Sequence, residues 1–412
     1  MGGAAPVAAV SAGPLTRVLL RGRWAVLVAW AACFLVARRG VVGDWSFHRL
    51  GADALLGPDP WTLYARLPQL QIGPAALAAA VPLRHAPAVA VQVVLWACGL
   101  GALWLAERSW PHAARAQRER LLIGGLLAVP CWSFLVTAGH LDDALAILAT
   151  AGACLALARG AGLPAGLLVG LAVAAKPWAL VVVPVLLAVP ALRPRLLALA
   201  AALGVPALAW APFLLAAPRS VGALSGFRIP VAATSGLRLA GLAGHPFPGA
   251  VRPAQLLLGL AVAVLAARRG RWWAVPVVAL AVRVALDPGA MGYYAAGPAV
   301  AALLAEGHLR PRVPTLLPAA FLGLFQPAYL TLLAARRGEV PFVSPGASLA
   351  VACLRVGACT ALVVGALAVP ALRARDRRGS STPGAADAAA PVTLGACGPP
   401  PGGSSAAGLQ AP

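Results

Sequence analysis

The side chains able to do chemistry lie in a few short stretches. GDWSFH at 43–48 places Asp44 among aromatic residues, with His48 one helical turn further on. A carboxylate there can take a proton from a hydroxyl, and the imidazole can orient or share it. AGHLDD at 138–143 supplies His140, Asp142 and Asp143, able to bind a sugar hydroxyl or a metal. One His and two carboxylates are a weak metal signal by themselves, so no metal ligand is assigned and divalent-metal dependence stays open. LDPGAMGYY at 286–294 supplies Asp287, Tyr293 and Tyr294, with Arg283 a turn earlier as an anion partner. Lys176, the single lysine among 33 basic residues, sits in the sequence KPW.

Each stretch also has a plainer reading. Asp44 can cap a helix, and Asp142 and Asp143 can complement a helix N-terminus. Asp287-Pro288-Gly289 reads as a turn at a helix end. The tyrosines suit an interfacial aromatic belt, and Lys176 can snorkel to lipid headgroups. Asp53 and Asp59 are better served by such readings, since GPDP at 57–60 is a turn sequence.

These residues need elements to position them, and composition says which. The chain has 412 residues, 60% of them hydrophobic and 11% charged. A soluble core is excluded, because soluble domains carry about a quarter charged residues. The net charge of +21 is dispersed between apolar runs, which points away from nucleic acid and towards a topogenic role beside membrane lipids. The seven cysteines show no paired spacing and read as small buried hydrophobes.

The expected fold is all-α: a polytopic membrane protein with about twelve helical spans. They fall near 18–37, 87–106, 121–138, 143–158, 163–175, 178–190, 196–217, 253–267, 272–286, 292–305, 313–334 and 349–370. Residues 1–17 form an N-terminal cytosolic segment, 18–370 the multispan domain, and 371–412 an Ala/Gly/Pro/Ser tail expected to be disordered. Two long segments, 38–86 and 218–252, lie outside, the first with an apolar stretch at 73–83 read as a helix in the interface. Placing the arginine-bearing gaps in the cytosol sends Asp44, Asp53, Asp59, Asp142, Asp143 and Asp287 to the outer face.

The motifs DWSFH, GADALLGPDPW, GHLDD, AGLLVGLAVAAKPW and LDPGAMGYY together resemble a GT-C glycosyltransferase. The nearest group is glycosyltransferase family 87, the polyprenyl-phosphate-mannose-dependent mannosyltransferases of actinobacteria. The resemblance covers most of residues 18–370, and each motif alone is weakly specific. GHLDD stands where family members often carry a Gly-Gln pair. The resemblance implies a multispan helical fold, a sugar donor carried on a polyprenyl phosphate, and an acidic first-loop residue as base, a position that Asp44 matches. The acceptor it implies is a glycan or glycolipid of the cell envelope.

On that reading Asp44 is the base, and Lys176 and Arg283 meet the leaving phosphate. His48, His140, Asp142, Asp143, Asp287, Tyr293 and Tyr294 line the sugar or acceptor pocket, and Arg228, Arg238 and His245 of 218–252 close over it. No glycine motif for a soluble nucleotide is present in the sequence. A secondary transporter is the rival, since it too uses many spans and intramembrane charge. A noncatalytic membrane protein of the same fold is the third reading.

Overall fold

The computed structural model describes residues 14–40, 42–111, 115–309 and 345–368. The expected span at 313–334 and the tail at 371–412 lie outside the described residues. Among the described residues the chain is all-α, with β-structure confined to the isolated bridges Pro230–Pro246 and Val231–Ala243.

Helices α1 (Pro14–Arg21) and α2 (Arg23–Ala37) meet at a 74° bend. The segment 38–86 holds three short helices, α3 (Trp45–Leu55), α4 (Leu63–Arg66) and α5 (Pro74–Ala80). Three long apolar helices follow: α6 (Ala88–Ser109), α7 (Arg115–Ala138) and α8 (Leu141–Ala158). Helix α9 (Gly162–Ala175) then breaks at Lys176 into a 3₁₀ run, Pro177–Ala188, before α10 (Leu192–Ala216). Helix α11 (Ser220–Gly226) opens the second long segment. Helices α12 (Val251–Arg268), α13 (Val275–Ala285) and α14 (Ala296–Glu306) lead to α15 (Pro345–Ala368).

Six of the described helices are long and apolar enough to cross a membrane, or seven if the bent α1–α2 pair counts as one span. The sequence reading expected crossings at 163–175, 178–190 and 272–286 as well. Helix α9, however, has 14 residues and rises about 21 Å, short of a hydrocarbon core roughly 30 Å thick. The run after it, with Pro177 at its start and Pro184 inside, adopts 3₁₀ geometry instead of α. Residues 272–285 likewise form a short apolar helix.

Large apolar side chains on the outside fit a lipid surround. On α10, Leu196, Leu203, Leu208 and Leu215 are exposed, and Leu215 keeps 82% of its surface. Such a face is costly in water and neutral among acyl chains. The opposite face of α10 packs against α9 through small residues. Gly166 and Gly170 of α9 lie so close to the backbone of Ala198 and Ala201 that an added Cβ would collide with it. This is the small-residue approach by which membrane helices gain packing without a hydrophobic driving force.

The two ends of the helices differ in chemistry. At one end arginines fasten helix termini together. Arg23 donates to Glu107 at 2.6 and 2.8 Å, and the Trp24 indole N–H takes the other Glu107 oxygen at 2.9 Å. Arg120 donates to the carbonyls of Glu306 and Leu309, and Arg271 to that of Ala366. At the other end gather Asp44, His48, His140, Asp142 and Asp143.

The stretch 73–83 packs into the protein. Pro74, Ala76, Leu77 and Ala80 are buried, and the Gly73 N–H donates to the Ala175 carbonyl at 3.0 Å. Helix α5 is thus tucked beside the break at Lys176. Its apolar residues find protein there, a better partner than headgroups.

Candidate functional site

Backbone contacts bring the distant motifs together. The N–H groups of Gly43 and Asp44 donate to the carbonyls of Thr137 and Ala138, the last two residues of α7, at 2.8 and 2.7 Å. The turn into α8 runs through Gly139 at φ +79°, a left-handed conformation that favours glycine. A Cβ there would also press on Trp45. His140 is thereby held against the start of α3.

Asp44 occupies the N-cap position of α3, but its side chain makes no cap hydrogen bond. One of its oxygens, Oδ2, lies 3.1 Å from Nε2 of His140 instead. The Asp44 side chain is half exposed while the imidazole behind it keeps 12% of its surface. The histidine beside Asp44 is therefore His140. His48, expected in that role, is buried, stacks on Trp45, and points Nε2 to within 3.6 Å of Asp142 Oδ1. Trp45 and Gly139 steer it inward.

Asp142 and Asp143 are both buried at the start of α8. Asp142 Oδ1 accepts from the Asp143 N–H at 2.9 Å, and Oδ2 accepts from the Lys176 ammonium. Asp143 Oδ1 accepts from the Trp178 indole N–H at 2.6 Å. Lys176 thus does not snorkel. The break between α9 and the 3₁₀ run turns it inward, and Asp142 neutralises it. Trp178 was not foreseen as a partner; its place beside a lone Lys-Pro break was the available signal.

Arg283 has a different setting. Its guanidinium lies 4.9 Å from the Trp178 ring and 4.8 Å from the Tyr294 ring. Its nearest carboxylate oxygen is Asp143 Oδ1, at 3.8 Å. Among the described residues it donates no hydrogen bond, so a flat cation is held between two rings with the Asp143 carboxylate as its ion-pair partner. Tyr293 stacks on His140 with ring centroids 3.8 Å apart and leans edge-on against Tyr294. Burial alone would push the His140 pKa down, but the neighbouring carboxylates of Asp142 and Asp44 outweigh it and hold it at about 9.

Asp287 lies at the Arg283–Tyr294 edge of this cluster, and both of its carboxylate oxygens are engaged. Oδ1 accepts from the Gly289 N–H at 2.9 Å and Oδ2 from Arg252 at 3.1 Å, while its carbonyl accepts from the Ser235 hydroxyl. Arg252 also donates to Gln255, whose amide donates to the Arg283 carbonyl. Asp287 ties the turn after α13 to the segment 218–252 and so steadies Arg283 from behind. Arg252, Gln255 and Ser235 were not singled out by sequence, because nothing in their local pattern marks them. Arg238 donates to the Ala233 carbonyl and, with Arg228 and His245, belongs to the segment 218–252.

Asp53 and Asp59 behave as solvated and turn residues. Asp53 is exposed and 3.6 Å from Arg84, and Asp59 accepts from the Thr62 hydroxyl three residues on. Neither joins the cluster. No family model and no curated protein matches this chain.

Proposed function

We propose that this chain is a membrane glycosyltransferase that moves a hexose, mannose by resemblance, from a polyprenyl-phosphate donor to an acceptor hydroxyl outside the cytosol. The observation that carries the reading is the half-exposed Asp44 paired with His140, together with the guanidinium of Arg283 held between Trp178 and Tyr294. Transfer needs a base for the acceptor proton and a cation for the departing phosphate. Asp44 has one oxygen turned to His140 and a half-exposed side chain open to an acceptor. Arg283 presents a planar donor array suited to a phosphate.

The other residues support these two. Lys176 is neutralised by Asp142, so on this reading it positions the α8 carboxylates and Trp178. Tyr293 holds the His140 ring by stacking, and Asp287 holds the turn behind Arg283. The arginine-rich end faces the cytosol by charge bias, which puts the cluster outside. An apolar body with exposed leucines offers a polyprenyl chain a lipid-side approach. Partners on this reading are the lipid-linked donor, membrane lipids and an envelope glycan or glycolipid, in a multispan GT-C-like fold at the cell membrane.

One observation favours a second reading. The interrupted helix pair at Lys176, with its ion pair to Asp142, also resembles the broken spans of secondary transporters. Purified protein given polyprenyl-phosphate-mannose with labelled sugar separates the two. Label appearing in a membrane acceptor supports transfer. Substrate-driven uptake into proteoliposomes without transfer overturns it in favour of transport.

A further inference from the structure

The polar atoms behind Asp44 are arranged in a way that hydrogen bonds alone leave unresolved. An ionised Asp44 can only accept, so Nε2 of His140 carries the hydrogen between them. Nδ1 then looks into the protein with no hydrogen-bond partner. It faces Asp142 Oδ1 at 3.4 Å and Asp143 Oδ2 at 3.7 Å. Asp143 Oδ2 is itself buried and without a hydrogen-bond partner. Nδ1 and two carboxylate oxygens converge on one position, which a proton on Nδ1 or a bound cation can fill.

The spacing suits a metal ion. Donors at about 2.0–2.1 Å from a tetrahedral zinc ion stand roughly 3.4 Å from one another. The three side chains place their donor atoms within 4.8 Å of one another, with the two His140 distances close to that edge. Each donor is also held from behind. His140 gives its other nitrogen to Asp44, Asp142 its other oxygen to Lys176, and Asp143 its other oxygen to Trp178. Outer partners of this kind fix the tautomer and aim of metal-binding side chains.

We propose that His140 Nδ1, Asp142 Oδ1 and Asp143 Oδ2 form a binding site for a first-row divalent cation of the zinc or manganese type. Three protein ligands leave a coordination position open, as in metal sites that act on a bound oxygen. The charge balance allows it. Asp44, Asp142 and Asp143 face Lys176 and Arg283, so with neutral imidazoles the group has one negative charge over. The ammonium takes Asp142 Oδ2 and lies 3.7 Å from Asp143 Oδ2, leaving Asp142 Oδ1 on the histidine side. The competing occupant is a proton on His140, which would satisfy the same oxygens. The site stands whether or not the protein transfers sugars, because its evidence is the ligand geometry alone.

The test uses full-length protein in detergent, stripped with chelator, reloaded with Zn²⁺ or Mn²⁺ and desalted, with metal per chain measured by atomic emission. Wild type and Asp53→Asn should each retain one equivalent, and Asp143→Asn and His140→Gln should fall to background. Cobalt loading of the wild type should give visible d–d absorption that excess zinc abolishes. This second readout holds even if a variant folds poorly. A wild type that keeps no metal and shows no cobalt band overturns the site in favour of a protonated His140. Equal metal in wild type and both ligand variants overturns it as well. Sugar transfer does not enter either readout, so failure of the transferase reading would be seen separately.

Discussion

Nε2 of His140 and Oδ2 of Asp44 sit 3.1 Å apart although 96 residues of chain separate them. The contact exists because the backbone of 43–44 is pinned to the end of α7 and Gly139 turns the chain immediately afterwards. Asp44 is thus the exposed member of a pair whose buried member is anchored by Tyr293 and Asp142. A carboxylate held this way keeps one oxygen oriented and the other available.

Replacing Asp44 by Asn should preserve the fold, since the side chain is half exposed and makes no cap bond. If Asp44 is the base, turnover should drop by about two to four orders of magnitude. Asp53→Asn should leave turnover close to wild type. Initial rates at equal membrane abundance decide this, and wild-type rates in the Asp44 variant would remove it from the mechanism.

Lys176→Met should act on stability. It would leave Asp142 buried with no ammonium, and breaking a buried pair by removing one partner costs about 3–5 kcal/mol. The double variant Lys176→Met with Asp142→Leu removes both charges and should recover much of that loss. Unfolding midpoints in detergent would show it. A Lys176→Met midpoint equal to wild type would mean that the ion pair does not hold in solution.

Asp287→Ala should loosen the segment 218–252 without touching the Asp44–His140 pair. Three contacts meet at Asp287, from Gly289, Arg252 and Ser235, and the substitution removes the two made by its side chain. Limited proteolysis should then cut within 218–252 faster than in wild type. Arg252→Gln, at a side chain 46% exposed, should have a smaller effect. Unaltered cutting in the Asp287 variant would show that the segment is held elsewhere.

Orientation can be read by labelling, in a background without native cysteines. A cysteine at Leu239, which is 49% exposed in the segment 218–252, should react with an impermeant reagent in intact cells. One at Arg159, exposed in the turn between α8 and α9, should react only after lysis. The reverse pattern would place the cluster in the cytosol.

The sequence made the ingredients readable and left their pairing hidden. Asp44, GHLDD, Lys176 and LDPGAMGYY stood out because ionisable residues are rare in so apolar a chain. Which histidine served Asp44 was not legible, since local spacing favoured His48 and the deciding contacts come from α7. Lys176 and Asp142 are 34 residues apart, and helices that are apolar all round carry no stripe to show which faces meet. An apolar run announces burial, but its length and its prolines decide whether it spans, as the 14 residues of α9 and the 3₁₀ run after it show.

The ion pair between Asp142 and Lys176 also bears on how the chain enters the membrane. Helix α8 emerges from the ribosome with two carboxylates at its leading end, and their ammonium is still unmade. Until 176 has been synthesised, these carboxylates must remain in water, or in the translocation channel. The smallest piece that can settle with its charge neutralised is the α8–α9 hairpin through Trp178. Insertion in pairs, rather than one helix at a time, is therefore built into the order of residues along this part of the chain.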